Sequence, residues 1–213
     1  MAMNEIRFFN PYAEIRHTEN RLPHWQQEGA VYFVTFRLAD AIPAKLRHQM
    51  DEERAVWLGL HPEPWSEEIE REYHKRFSGA IERRLDVGHG SCILRRRDCR
   101  EIVDEALHHF DGERLALISA VVMPNHVHAI FVQNPPWPLE KILNSWKTFT
   151  ARRINALLER RGSLWQRDYF DLLVRDQSHF ASCLRYIRRN PEKAHLPKGE
   201  FILYESELAQ NIE

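Results

Sequence analysis

The sequence predicts an α+β fold in which helices pack on an antiparallel sheet. Three segments, Ala30–Leu38, Leu115–Met123 and His126–Val132, are rich in β-branched and aromatic residues and are predicted to be strands. Only Pro124-Asn125 separates the last two, and this pair suits a tight turn because proline presets φ and asparagine tolerates a left-handed conformation. These two strands therefore form a hairpin, and segments of helical period on either side of it supply the layer of packed helices.

The first half of the chain contains a polar segment and two predicted helices. Residues 1–29 are polar with little periodicity, and we interpret them as an N-terminal arm. Behind Pro43, four apolar residues predict a helix that is interrupted around His61-Pro62-Glu63-Pro64: Leu46, Met50, Val56 and Leu58. A second, acidic helix is predicted from Ser66, a candidate N-cap, to about Leu85.

The second half is predicted to contain three helices and a short strand. One helix runs from Arg97 to Phe110, and a long amphipathic helix ends near Gly162, with its apolar positions at three- and four-residue steps: Leu139, Ile142, Leu143, Trp146, Phe149, Ile154 and Leu157. Tyr169–Val174 is a predicted strand. A last helix begins near Ser178 and is expected to stop at Pro191, because the residue before a proline is pushed out of the α region.

Composition excludes several classes of protein. The 213 residues are 43% hydrophobic with 8 glycines, which is typical of a globular chain with a sizeable core. The longest apolar run spans nine residues, far fewer than the roughly 20 that cross a bilayer, so we expect no membrane span. The charged N-terminus does not resemble a signal peptide, and a cytoplasmic protein is expected. Three cysteines without a C-x-x-C pair argue against a disulfide framework and against a thiolate zinc site.

Charge is distributed unevenly along the chain. The formal net charge is -1, but residues 141–198 contain thirteen Lys/Arg against five Asp/Glu. Aromatic residues lie among these cations: Trp146, Trp165, Tyr169, Phe170 and Tyr186. Cations bind phosphates and aromatic planes stack on exposed bases, so this part of the chain favours single-stranded nucleic acid as the partner.

The pair His126 and His128 is a candidate metal site. Side chains alternate along a strand, so both imidazoles project from one face while Val127 points to the other. Two adjacent imidazoles can share one divalent metal, although a His-x-His pair can also be two histidines on a half-exposed strand. Position 130 is Ile130, so the third histidine of a nucleoside-phosphate hydrolase strand, which would be its nucleophile, is missing.

Four blocks in order resemble a known family. They are VVMPNHVHAIFV, a long helix containing Ser145-Trp146-Lys147, SLWQRDYFDLLVRD and YIRRNPEKAHL. Together they are similar to the single-tyrosine HUH transposases, and specifically to the REP-associated tyrosine transposases. The similarity extends upstream to YFVTFRLAD and LDVGHGSCIL and so covers about Gly29 to Leu196.

The resemblance implies a ferredoxin-like sheet and metal-dependent cleavage and rejoining of single-stranded DNA. It assigns His126 and His128 to an Mg²⁺ or Mn²⁺ ion, Asn190 to the third, amide-type ligand and Tyr186 to the nucleophile. The helical spacing agrees, because Tyr186 and Asn190 are four residues apart and separate from the apolar face: Phe180, Cys183, Leu184 and Ile187. Asn190 also suits a helix C-cap. No ATP is expected, since the sequence has no P-loop.

Seven residues are candidate DNA contacts, chosen for their charge or aromatic ring: Lys147, Arg152, Trp165, Arg167, Tyr169, Arg188 and Arg189. Tyr169 is also a rival nucleophile, but its position at a strand end between Asp168 and Phe170 better suits packing or base stacking.

The resulting domain prediction is an arm over residues 1–29, one HUH transposase-like catalytic domain over 30–196 with a helical insertion around 43–85, and a C-terminal tail over 197–213. The leading functional hypothesis is strand transfer at the foot of a hairpin in repetitive extragenic palindromes, through a 5′-phosphotyrosine, by a nucleoid-associated monomer or homodimer. Two alternatives remain open. One is a hairpin-binding protein of the same ancestry with little catalysis. The other is an unrelated metal-dependent phosphohydrolase that uses the histidine pair.

Overall fold

The computed structural model describes residues 6–19, 23–62 and 65–212. Residues 1–5 and 20–22 of the predicted arm, and Glu63 and Pro64 of the predicted helix interruption, lie outside that range. The strands are β1 (Arg16–Glu19), β2 (Pro23–Gln26), β3 (Val31–Arg37), β4 (Leu115–Val122), β5 (His126–Gln133), β6 (Phe170–Leu173) and β7 (Ile202–Glu205). The helices are α1 (Ala44–Leu60), α2 (Glu67–Tyr73), α3 (Gly79–Asp86), α4 (Arg97–His108), α5 (Leu139–Leu157), α6 (Gln177–Lys193) and α7 (Glu207–Gln210).

Five strands form one antiparallel sheet in the order β6-β3-β5-β4-β7. The chain order β3-α4-β4-β5-α5-β6 with this pairing is the ferredoxin-like arrangement, to which β7 adds a fifth strand beside β4. The predicted hairpin is closed by the Met123 amide, which donates to the His126 carbonyl oxygen at 2.9 Å. The predicted α+β fold and its antiparallel sheet are confirmed.

Alternation along β5 divides the core between the two faces of the sheet. Val127, Ala129 and Phe131 pack in one cluster with residues of α4 and α5. Ile130 belongs to a second cluster, on the other face, which includes the apolar residues of α6. His126 and His128 are separated from Ile130 by an even number of residues, so their side chains lie on the same face of the sheet as Ile130, the face that carries α6. Strand alternation predicts this common face for the two imidazoles.

The predicted helical insertion is present. The second predicted helix is α2 and α3, joined by a π-helical segment, His74–Ser78. Within α1, however, Trp57 is buried, with its ring tilted against Tyr73 and edge-on to Phe77, whereas Val56 is 66% exposed. The sequence predicts that Val56 lies on the apolar face of α1. The helix instead buries Trp57, because the larger ring removes more apolar surface from water than valine would.

The sequence predicts that the last long helix, α6, stops at Pro191, but the helix does not stop there. It continues through Pro191 to Lys193, and Ala194 is its C-cap. Because the proline lies in the final turn, it removes only one helical hydrogen bond, and Pro191 is itself buried. Asn190 is therefore an internal helical residue, and the suggestion that it caps the helix is wrong.

Both chain ends contain elements that the sequence analysis missed. The arm includes the antiparallel pair of β1 and β2, and Arg7 bridges to Ala30 in front of β3. The segment behind residue 197 provides β7 and α7, whose Ala209 is buried. These elements have four residues each, too few to show a periodic pattern. Across the described residues, no helix combines the length and apolar character that crossing a bilayer requires.

One glycine holds the loop before α4 close to β3. Gly90 has φ +88°, and a Cβ at this position would clash with the backbone of Asp40. The neighbouring Ser91 amide donates to Asp40 Oδ2 at 2.8 Å. The loop also provides the His89 carbonyl that accepts from Asn125 Nδ2 at 3.3 Å, which links it to the turn of the hairpin.

We predict that Gly90→Ala lowers the free energy of unfolding by about 1–3 kcal/mol, because alanine is strained at this φ and must displace the Asp40 backbone. Urea unfolding followed by circular dichroism measures the change. Gly59→Ala is the control: no atom lies within 4 Å of its added Cβ in α1, so a gain of about 0.5–1 kcal/mol is expected. Equal stability of the Gly90→Ala protein and the natural protein would contradict the assignment.

Candidate functional site

The two histidines of β5 lie side by side with their orientation set by neighbouring polar groups. Their ring centroids are 4.6 Å apart, and each side chain is 1% exposed. His126 Nδ1 lies 2.7 Å from Asn125 Oδ1, and His128 Nδ1 lies 2.7 Å from Thr35 Oγ1. Asn125 Nδ2 donates to the Leu85 and His89 carbonyls, so its Oδ1 is the acceptor and the His126 proton is on Nδ1. The Nε2 atom of His126 thereby keeps its lone pair.

Helix α6 places Tyr186 and Asn190 opposite this pair. The Tyr186 ring meets the His128 ring edge-on with centroids 5.2 Å apart, and Phe33 contacts both rings. Asp176 caps the start of this helix by accepting from the His179 amide at 2.8 Å. The apolar positions predicted for α6 are buried, so the stripe with Tyr186 and Asn190 faces the histidines.

Among the residues that the structure describes, three buried polar atoms in this cluster make no hydrogen bond of normal geometry: His128 Nε2, Asn190 Oδ1 and Asn190 Nδ2. Asn190 is only 1% exposed, and its side chain lies close enough to His126 to raise that pKa. Burying an unpaired polar group costs about 1–3 kcal/mol, so a group of them in a folded protein indicates a site that another species completes.

Burial keeps both imidazoles neutral. It lowers the pKa of His126 to about 3; the Asn190 side chain close to the ring opposes this shift, and the charge of Arg37 adds to it. Burial also lowers the pKa of His128 well below its ordinary value, with further lowering by His126 and by the positive charge of Lys193. A neutral imidazole offers a lone pair, so the pair is ready to bind a cation at neutral pH.

The donor atoms present fit a divalent metal. His126 Nε2, His128 Nε2 and the Asn190 amide oxygen form a mixed nitrogen and oxygen set of the kind that accepts Mn²⁺ or Mg²⁺. Within the described ranges, no group of three His, Cys, Asp or Glu side chains is placed to hold a metal. The resemblance implies Asn190 as the third ligand, and this assignment stays a prediction.

Sequence reasoning missed four polar residues at the site: Thr35, Arg37, Asn125 and Lys193. Arg37 lies opposite His126 in the β3–β5 register, and its Nε donates to Gln166 Oε1 at 2.7 Å. Burial lowers the pKa of Arg37 to about 10, which leaves it charged at neutral pH. Lys193 Nζ lies 4.6 Å from the centroid of the Tyr186 ring. Of these four residues, only Asn125 could have been identified from the sequence, because it directly precedes the histidine pair in the hairpin turn.

Two of the predicted DNA contacts are internal structural residues. Trp165 is 5% exposed, its Nε1 donates to Thr150 Oγ1 at 2.8 Å, and its ring packs on Phe36 at 4.8 Å. No ring face remains for a base, so the prediction of a DNA contact at Trp165 is wrong. The aromatic residue instead fills the core, on the face of the sheet that carries α5.

Arg188 is also hydrogen-bonded within the protein. Its guanidinium donates to Glu205 Oε1 at 2.7 and 2.9 Å and to the Ala209 and Ile212 carbonyls at 3.1 and 3.2 Å. These acceptors belong to the C-terminal segment, so Arg188 fixes that segment to α6. These bonds give Arg188 a structural role that the sequence analysis did not predict, and its phosphate contact stays a prediction.

The remaining predicted DNA contacts differ from one another in burial and in hydrogen bonding. Lys147 Nζ donates to the Arg167 carbonyl at 2.6 Å and lies 6.0 Å from the centroid of the Tyr169 ring. Burial lowers the pKa of Lys147 to about 8, with partial compensation by Asp168. Arg152, Arg167 and Arg189 are exposed, as a phosphate contact requires. Arg152 on α5 and Arg189 on α6 lie on opposite faces of the sheet, so they cannot share one phosphate.

Comparisons with known proteins give one family match and two similar solved structures. Residues 83–190 match the family described as "Transposase IS200 like". A solved structure of a REP-associated tyrosine transposase bound to a REP hairpin is 14% identical with a TM-score of 0.46, covering 85% of this chain and 76% of that one. A protein from Deinococcus radiodurans described as a transposase is 17% identical with a TM-score of 0.32, covering 87% of this chain and 98% of that one. No curated protein sequence matches the chain.

The depressed histidine pKa values predict acid-sensitive stability. Below pH 6.5 the unfolded chain takes up a proton that the folded His126 does not accept until about pH 3, so acid favours unfolding. The expected loss is about 1.4 kcal/mol per pH unit for each such histidine. Urea unfolding in EDTA at pH 7 and at pH 5 should show a smaller loss for His126→Gln than for the natural protein. The exposed His89→Gln control should keep the full loss, and identical losses in all three proteins would contradict the assignment.

Proposed function

Because the chain belongs to the family of IS200-like transposases, we propose that it cleaves and rejoins single-stranded DNA with Tyr186 as the nucleophile. The observation that carries this proposal is the position of Tyr186, whose ring centroid is 5.2 Å from that of His128 in a cluster with unpaired buried ligand atoms. A helix tyrosine facing two neutral imidazoles places a nucleophile beside candidate metal ligands, which suits metal-assisted phosphodiester cleavage.

The proposed step conserves the energy of the phosphodiester. The Tyr186 hydroxyl oxygen attacks phosphorus and loses its proton, an oxygen–phosphorus bond forms, and the bond from phosphorus to the 3′ oxygen breaks. That oxygen takes up a proton and leaves as a 3′-OH, while the 5′ phosphate stays joined to the tyrosine. Attack by a 3′-OH on this phosphotyrosine reverses the step, so rejoining needs no ATP, in agreement with the absence of a P-loop from the sequence.

His126, His128 and Asn190 would hold the Mg²⁺ or Mn²⁺ ion, which when bound polarises the phosphate and stabilises negative charge. Thr35 and Asn125 orient the imidazoles through Nδ1, which directs each Nε2 away from those anchors. The ammonium of Lys193, above the Tyr186 ring, favours the phenolate over the neutral phenol electrostatically. Arg37 adds a cation next to His126 for the phosphate.

The proposed substrate is a hairpin with single-stranded flanks, such as the foot of a repetitive extragenic palindrome. The family and the sequence resemblance support this choice. Among the predicted contacts, Arg152, Arg167 and Arg189 are exposed and can reach its backbone. The phosphohydrolase alternative does not explain why a helix tyrosine lies against the histidine pair, whereas the hairpin-binding alternative shares this geometry through common ancestry. The experiment on Tyr186 separates all three.

Tyr186→Phe should abolish a covalent adduct between protein and DNA. The substitution removes only the attacking oxygen, so hairpin affinity should change less than about twofold while the adduct, seen by denaturing electrophoresis with label on the 5′ end of the downstream fragment, disappears. Tyr169→Phe is the matched control and should still form the adduct. Cleavage at an undiminished rate by Tyr186→Phe would favour the phosphohydrolase, and binding without any adduct in the natural protein would favour the hairpin-binding protein.

Metal binding should depend on the clustered ligands. Calorimetric titration with Mn²⁺ should give one site in the natural protein, and EDTA should abolish adduct formation until Mg²⁺ or Mn²⁺ is restored. We expect His126→Ala to weaken Mn²⁺ binding by more than tenfold and Asn190→Ala to weaken it by about tenfold, each without unfolding, because each removes one ligand. His89→Ala removes an exposed histidine outside the cluster and should bind Mn²⁺ normally. Full adduct formation in EDTA would exclude a metal-dependent reaction.

A further inference from the structure

Three polar side chains form one row across the face of the sheet that carries α6: Gln166, Arg37 and His126. Arg37 is opposite His126 in the β3–β5 register, and the Gln166 amide donates to the Arg37 carbonyl oxygen at 2.9 Å, next to the bridge between Leu38 and Trp165. Directly opposed residues on neighbouring strands project from the same face, so Arg37 lies between the glutamine and the imidazole. Gln166 is therefore two side chains away from the candidate metal ligand.

The Gln166 side chain holds one edge of the Arg37 guanidinium. Arg37 Nε donates to Gln166 Oε1 at 2.7 Å, and only 9% of Gln166 is exposed. Because Arg37 Nε is a donor, the contacting atom of the glutamine is its oxygen, and its Nε2 points the other way. In the part of the chain that the structure describes, this buried Nε2 makes no hydrogen bond of normal geometry. An unpaired buried donor is unfavourable, so a glutamine at this position needs a reason other than stability.

The partner of Arg37 is neutral. Over the described ranges, Gln166 Oε1 is the only hydrogen-bond acceptor of the Arg37 side chain, and no carboxylate lies within 4.0 Å of its guanidinium. Asp51 and Asp168 act on it only at longer range. Burial lowers the pKa of Arg37 to about 10, which leaves the guanidinium charged at neutral pH. A full positive charge therefore remains beside His126.

Other residue types at position 166 would change this balance. A glutamate has nearly the same shape, but its carboxylate would pair with Arg37 and offset the positive charge. A methionine would fill a similar volume, but it would leave Arg37 Nε without its acceptor and the guanidinium with more rotational freedom. Of these three residue types, only glutamine both holds the guanidinium and preserves its charge.

We infer that Gln166 is a positioning residue, which holds Arg37 and leaves the arginine's charge for the phosphate that is cleaved. The inference rests on the proposed function, since that phosphate is the one placed at the histidine pair. As the Tyr186 oxygen bonds to phosphorus, negative charge accumulates on the phosphate oxygens, and a cation that is already oriented stabilises this charge without reorganising. The hydrogen bond at Nε orients Arg37 before the substrate arrives.

Gln166→Glu separates the charge from the fold. The new carboxylate pairs with Arg37, so adduct formation at saturating single-stranded oligonucleotide should be at least about tenfold slower, while the urea midpoint of unfolding stays equal or rises. Gln177→Glu is the matched control: it adds the same charge at an exposed position at the start of α6 and should keep the natural rate. A merely structural glutamine predicts the natural rate in a folded Gln166→Glu protein, and that result would overturn the inference.

A double-mutant cycle tests whether Gln166 acts through Arg37. Gln166→Met should slow adduct formation about fivefold and Arg37→Met more than about tenfold, because the first releases the guanidinium and the second removes it. In the Arg37→Met background, Gln166→Met should cause no further loss, since the effects of two residues that act together are not additive. Additive losses would show that Gln166 acts elsewhere and reject its positioning role. This cycle decides the question if Gln166→Glu does not fold, which circular dichroism shows.

The same cycle in DNA affinity distinguishes this inference from the proposed function. Fluorescence anisotropy is measured on Tyr186→Phe proteins, which lack the attacking oxygen but keep the arginine. If the natural protein forms the adduct and the cycle is additive in rate, only the role of Gln166 is rejected. If no adduct forms but Gln166 and Arg37 are coupled in affinity, the positioning role stands and the cleavage chemistry is rejected. No adduct together with additive effects on affinity rejects both.

Discussion

The site depends on one constraint, the antiparallel register between β3 and β5. That register places Thr35 opposite His128 and Arg37 opposite His126, so one strand provides the imidazoles while the other provides a polar anchor and a cation. A slip of one residue would turn both histidines into the apolar core beside α4 and α5. The burial that keeps the pair neutral and the anchoring of His128 by Thr35 both follow from this pairing.

The second requirement is the position of α6, because the candidate nucleophile and the candidate amide ligand both lie on it. The apolar face of the helix packs against the sheet, and Arg188 joins its outer side to β7 and α7 through Glu205 and main-chain carbonyls. The helix also continues through Pro191, which keeps Asn190 inside a regular turn with its amide facing the histidines. The C-terminal segment thus stabilises the site although it contributes no ligand to it.

Corrections to the sequence analysis have a common physical origin. Trp165 and Arg188 are residue types that often contact nucleic acid. Trp165, however, hydrogen-bonds to Thr150 inside the core, and Arg188 binds Glu205 in the C-terminal segment. An aromatic ring or a guanidinium serves packing and recognition equally well, and the sequence alone does not show which partners it finds. Thr35 and Arg37 were missed for the same reason, since nothing local to β3 shows which residues of another strand lie opposite.

The sequence by itself determined the order and type of the main elements, the α+β class, the common face of His126 and His128, and the stripe with Tyr186 and Asn190. These properties follow from periods of 2 and 3.6 residues and from turn chemistry, which act over a few neighbouring residues. Only the tertiary structure decided the strand order, the short elements near the chain ends and the continuation of α6 past Pro191. Each of these depends on contacts between distant segments, whose burial energy overrides local preference.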